Sequence, residues 1–125
     1  MNIINRKNMD WKRLARITGN ALVTYGRKAG RAGARILLKF YYTMLYGNLS
    51  ASEKALVCAG ILYIVVPRDL IPRKILGLFG TLDDIGVAAW IFDRIGKHIT
   101  PEIELKVEET LDHWFGPVVT ITYVD

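Results

Sequence analysis

Two prolines, Pro67 and Pro72, bracket the stretch Pro-Arg-Asp-Leu-Ile-Pro, with apolar runs on either side. Each proline fixes its own φ and lacks a backbone donor, so no regular helix continues through both. Asp69 between them can accept backbone N–H bonds and nucleate a turn or a short helix. Upstream lies the apolar run Ala55–Val66, and downstream come the short apolar segment Lys74–Phe79, Gly80-Thr81 and a further apolar stretch from Leu82. Residues 67–84 therefore read as the turn of an apolar helical hairpin, with helices over about 51–66 and 82–97.

The flanks also read as helix. Ser50-Ala-Ser-Glu53 has the form of a capping box at the start of the first hairpin helix. Thr81 or Asp83 can cap the second, whose expected apolar face holds Leu82, Ile85, Ala89, Phe92 and Ile95 or close neighbours. Before the hairpin, Asp10 can cap a helix of about four turns. Its apolar face carries Trp11, Leu14, Ala15, Thr18, Ala21, Leu22 and Tyr25. A second helix is expected over about 27–46, with Ile36, Leu37, Phe40, Tyr41, Met44 and Leu45 on its apolar side. Gly47-Asn48 would end it as a left-handed cap. After the hairpin, Thr100-Pro101-Glu102 is a helix start, with Ile103, Val107, Leu111 and Trp114 on one face and Gly116-Pro117 as the stop. Val118–Val124 is β-branched and reads as an extended tail, flexible or paired between subunits.

These elements make an all-α domain of about five helices. Its regions are a basic amphipathic one (1–50), the hairpin (51–97), and an acidic helix with its tail (98–125). A chain of 125 residues suits one domain with its own core.

Charge is unevenly spread. Residues 1–52 hold ten Lys/Arg and one acid, and residues 53–125 hold seven Lys/Arg and eleven acids, for +5 overall. Arg27, Arg31, Arg35 and Lys39 are spaced by four and would form one cationic stripe, with Lys12, Arg13 and Arg16 beside it. Such a face suits an anionic membrane surface, a nucleic-acid backbone or an acidic protein surface, including the chain's own acidic C-terminal helix. Interfacial aromatics at Trp11, Tyr25, Phe40, Tyr41 and Tyr42 favour the membrane. No recognition motif supports nucleic acid, which ranks below it.

Hydrophobic residues make up 51% of the chain and mean hydropathy is +0.20, which keeps membrane association open. The run Ala55–Val66 would cover only about 18 Å of a hydrocarbon core roughly 30 Å thick. Asp83 and Asp84 interrupt the second run. A core hairpin, or one dipped into a single leaflet, is therefore expected over two true spans. The N-terminus lacks the apolar stretch and cleavage site of a secretory signal.

Little points to catalysis, and a non-enzymatic protein without a cofactor is expected. Cys58, the single cysteine, allows no intramolecular disulfide and sits where a small buried hydrophobe belongs. His98 and His113 lack the spacing of a zinc helix, and Gly26, Gly30 and Gly33 match no phosphate loop. Asp69, Asp83 and Asp84 would lie near one turn and could offer oxygens to a hard cation. Helix capping and satisfaction of loop N–H groups is the favoured role for them.

The combination in residues 55–90 resembles the DUF1232 domain, also called the YkvA-like family. That pattern is an apolar helix, Pro-x-Asp-Leu-Ile-Pro, a short apolar link, then Gly-x-x-Asp-Asp leading into a second apolar helix. Pro67, Asp69, Leu70, Ile71, Pro72, Gly80, Asp83 and Asp84 stand at the matching positions. Arg73-Lys74 stands where many members carry an acid, and Ile75-Leu76-Gly77 where many have a further proline. The resemblance implies membrane association and no catalytic activity. The expected protein is a membrane-associated one on the cytoplasmic side, with the basic face toward anionic lipid. The alternative is a soluble helical interaction module that binds nucleic acid or an acidic protein partner, or a homo-oligomer.

Overall fold

A computed structural model describes residues 11–80 and 82–116. Among them the chain is all-α. Five longer helices are α1 (Trp11–Tyr25), α2 (Gly30–Tyr46), α3 (Ala51–Val65), α5 (Asp84–Ile95) and α6 (Pro101–Phe115), and α4 (Arg73–Phe79) makes two turns between α3 and α5. Short 3-10 turns cover Gly26–Ala29, Arg68–Leu70 and Gly96–His98. The expected Asp10 and Thr81 caps and the tail Val118–Val124 lie outside the described residues.

Local chemistry sets the helix ends. Ser50 and Glu53 form the capping box reciprocally, each backbone N–H reaching the other's side-chain oxygen at 3.2 Å. Those bonds hold the Glu53 carboxyl below its usual range. The Asp83 carboxylate accepts from the Gly86 N–H at 2.7 Å, and Thr100 Oγ1 accepts from the Ile103 N–H at 3.3 Å. The end of α2 differs from expectation. Gly47 is extended, with φ −76° and ψ 163°, and its N–H bonds the Thr43 carbonyl at 2.7 Å without a left-handed residue.

α3 is the central helix. It packs against α1, α2, α4 and α5, while α6 lies against α2. It is buried along most of its length, from Ala55 to Tyr63, and joins Leu22, Phe40, Met44, Ile75, Phe79, Val87 and Ile91 in one large core. A smaller core of Ala34, Leu38, Ile103, Val107 and Leu111 joins α2 to α6, and half-buried Trp114 touches both cores. Burying each such side chain stabilises by roughly 1.5–3 kcal/mol.

Two expected faces are corrected. α5 buries Val87, Ile91 and Ile95, whereas Leu82, Ile85, Ala89 and Phe92 face solvent. The physical reason lies on α3: Gly60 has no side chain, and Ile91 occupies that space so closely that a Cβ there would stand 2.6 Å from its Cδ1. On α2, Ile36 also points outward.

Candidate functional site

The hairpin turn is built from the motif residues. Pro67 accepts from the Leu70 N–H at 2.9 Å, which closes the 3-10 turn. Ile71 then plunges into the core, and Pro72 opens α4, its carbonyl accepting from Ile75 and Leu76 at 3.0 and 3.2 Å. Gly80 closes α4 at φ +54° and ψ −115°, a conformation that side chains with a Cβ rarely adopt, so glycine is required there. Asp83 is the cap of α5. Asp69 and Asp84 are exposed, and no group of three His, Cys, Asp or Glu that could hold a metal ion occurs among the described residues.

Beneath the turn, aromatic rings hold the two arms together. Tyr63 on α3 and Phe79 on α4 are 5.3 Å apart between centroids, and Phe79 meets Trp90 on α5 edge-on at 5.5 Å. Arg68 lies over Tyr63 at 4.8 Å and Arg94 over Trp90 at 4.6 Å. The Arg68 guanidinium also donates to the Tyr63 hydroxyl at 2.9 Å, and this bond raises its pKa. Burial pushes the Cys58 thiol up to about 11, against the lowering effect of its hydrogen bond with Thr18, so the thiol stays protonated and inert.

Five large apolar side chains of this segment also face solvent, among the exposed charges of Asp69, Arg73, Lys74, Asp83, Asp84 and Asp93. Ile85 is 80% exposed, Leu70 63%, Phe92 59%, Leu78 48% and Leu82 41%. Arg73 and Lys74, also exposed, lie between Leu70 and Leu78 in the chain. Exposed apolar side chains that gather into one contiguous patch mark interaction sites.

The basic face is divided. Gly30, at φ +75°, separates the 3-10 turn carrying Arg27 from α2, so the four-residue spacing of 27, 31, 35 and 39 does not continue as one helical stripe. Arg35 grips Glu108 with two bonds, Nε to Oε2 at 2.7 Å and Nη2 to Oε1 at 3.1 Å. Arg31 pairs with Asp112 at 2.6 Å and reaches the Gly116 carbonyl at 3.2 Å. The Arg35 bond depresses the Glu108 carboxyl, and the same bond raises the Arg35 guanidinium. Arg27 lies over the Trp114 ring at 5.6 Å. Lys12, Arg13 and Arg16 are exposed on α1, and Lys39 is half-buried. The stripe thus serves partly as the clasp for α6. Two arginines four apart facing two acids four apart, in reverse order, were the sequence signal for that clasp.

The family model described as "Protein of unknown function (DUF1232)" matches residues 53–90. The hairpin is thus the part of the chain that is similar to the DUF1232 family. That match runs from the capping box through both arms as far as Trp90, so it contains the ring cluster and Ile85 of the apolar outer surface. A relative from Bacillus subtilis (strain 168), described as "Uncharacterized membrane protein YkvA", is 42% identical over 55 residues, which is 44% of this chain and 51% of the relative. The chain thus matches about half the length of that relative. No solved structure matches the chain.

Proposed function

We propose that this is a non-enzymatic, membrane-associated protein that rests on the cytoplasmic face of an anionic membrane. In this reading the outer face of the hairpin, Leu70, Leu78, Leu82, Ile85 and Phe92, dips into the headgroup and acyl boundary. Arg73, Lys74 and the basic N-terminal half meet lipid phosphates. The observation that carries the reading is the exposure of those five apolar side chains, four of them within the DUF1232 segment and Phe92 just beyond it.

Physical scale supports a dip over a crossing. Among the described residues no single helix is long and apolar enough to cross a membrane. α4 with Asp84–His98 has the length and composition of a broken span or re-entrant loop, bent by 75°. Full burial of one such side chain is worth roughly 1.5–3 kcal/mol, so partial insertion of five gives on the order of 5 kcal/mol, comparable with one myristoyl chain. Each cation near anionic lipid adds about 1 kcal/mol. The association is therefore reversible and salt-sensitive.

A soluble module that docks a protein partner on the same apolar face is the second reading. It is favoured by the engagement of Arg31 and Arg35 with α6, which reduces the charge offered outward. The same engagement weighs against nucleic acid. Flotation with vesicles of phosphatidylglycerol, compared with vesicles of phosphatidylcholine, tests the membrane reading. Protein that stays at the bottom of the gradient with both, at low salt, overturns it.

A further inference from the structure

Far from the hairpin turn in sequence, α1 and α6 both lie beside α2 and leave a cleft of about 320 Å³ between them. That volume is at the small end of ligand sites. α2 contributes Leu38, Tyr41 and Tyr42 to it, α1 contributes Arg16 and Asn20, and α6 contributes Trp114. Gly19 matters to its shape: a Cβ there would stand 2.6 Å from the Tyr41 hydroxyl oxygen, so only glycine lets this ring lie against α1.

The hydrogen bonds decide which polar groups remain for a ligand. Thr110 Oγ1 donates to the Lys106 carbonyl at 2.9 Å. A threonine hydroxyl has one proton, so the 2.6 Å contact between Tyr42 and Thr110 has Tyr42 as donor. Tyr41 donates to the Ala15 carbonyl at 3.3 Å. Both tyrosine protons are thus used. The donors left are the Arg16 guanidinium and the Asn20 side-chain amide, one helical turn apart on α1, with the indole N–H of Trp114 on α6, and neither α1 donor makes a hydrogen bond or ion pair among the described residues. The remaining lining, Leu22, Val23, Leu38 and the ring carbons of Trp114, is apolar.

From a cation and an amide at one edge and an apolar wall at the other, we infer that the α1–α2–α6 cleft binds a single-chain anionic amphiphile. Arg16 and Asn20 take its phosphate or carboxylate head, and its chain lies along Leu38 and Trp114. The site stands apart from the apolar face of the hairpin and does not rest on the membrane reading.

Octyl phosphate, kept below its critical micelle concentration, is the probe, and backbone amide shifts in the full chain are the readout. Saturable shifts are expected at residues 16–23, 38–42 and 110–114. Arg16→Gln should weaken binding about tenfold, from the loss of a charge-assisted bond. Val23→Trp should abolish it by filling the mouth; Val23 is exposed, so this change spares the core. Equal binding of inorganic phosphate, equal binding of octyltrimethylammonium, or unaltered binding in both variants would each overturn the proposal. So would tight binding that appears only after the chain is cut at Gly116, since residues 117–125 would then be the occupant. Phosphatidylglycerol vesicles in place of the free probe separate the two sources of such a headgroup: shifts in the cleft with vesicles alone, and none with octyl phosphate, also overturn it. Flotation separates this site from the hairpin, because Val23→Trp should float as the parent protein does.

Discussion

The hydroxyl of Tyr63, near the end of α3, donates to the carbonyl of Leu82, just before α5, at 2.7 Å. It accepts at the same time from Arg68, within the turn, at 2.9 Å. One side chain thus ties the first arm of the hairpin to the turn and to the second arm. The residues it joins are nineteen apart in sequence, so the bond closes the loop that carries Leu70 and Leu78. Tyr63→Phe keeps the ring against Phe79 and removes only this pin. A loss of about 1 kcal/mol in denaturant unfolding is expected, with a similar slope. Faster amide exchange confined to residues 66–86 would accompany it. An unchanged midpoint and exchange pattern would mean that the rings alone hold the turn.

Gly60 and Ile91 set the approach of α3 and α5. A leucine at position 60 would drive into Ile91 and Val87, both fully buried. Gly60→Leu should cost about 1–3 kcal/mol by overpacking, despite leucine's better helix propensity. Gly60→Leu combined with Ile91→Ala should recover part of that loss, which a thermal-melt comparison of the single and double variants measures.

How far the sequence discloses this fold depends on how local each cause is. The ends of α3 rest on Ser50, Glu53 and Pro67, all within or next to the helix, and they are where the sequence reading puts them. The face of α5 is not local. Leu82, Ile85, Val87, Ala88, Ala89, Trp90, Ile91, Phe92 and Ile95 place apolar atoms on every side, so periodicity cannot choose among them. The choice falls to the notch at Gly60, on another helix. The candidate surface follows from that choice, because the residues expected inside are the ones that face out. The division of the cationic stripe was likewise hidden, since it depends on the positive φ of Gly30 and on where α6 docks.

The clasp between α2 and α6 is sensitive to pH. Arg35 holds the folded-state pKa of Glu108 below its ordinary value. The folded protein therefore binds fewer protons there than the unfolded chain, and the contribution is fully present above about pH 5. It fades as pH falls through the depressed folded-state value. The pair is substantially exposed, so about 0.5–1 kcal/mol is the expected size even with two bonds. Unfolding of the parent and of Glu108→Gln should differ by that amount at pH 7 and converge at low pH.

Cys58 behaves as a buried hydrophobe whose thiol is pushed up to about 11. At pH 8 the native thiol is protonated and sealed, so alkylation should be slower than in the denatured chain by orders of magnitude. Its rate should follow the opening of the core, rising with denaturant. The sign of the pH effect on stability is also set. The folded pKa lies above that of a free thiol, so stability declines as pH rises beyond about 8.5. Alkylation at the denatured rate in native buffer would contradict this assignment.

The central claim is that the outer face of the hairpin enters a lipid leaflet. Ile85→Glu with Phe92→Glu tests it most directly, because both side chains face solvent and their replacement leaves the core intact. Flotation of parent and double variant with phosphatidylglycerol vesicles, at matched circular dichroism and melting temperature, is the measurement. The parent should rise with the vesicles and the variant should remain below. Equal flotation of the two would contradict the claim, as would a parent protein that does not float at low salt.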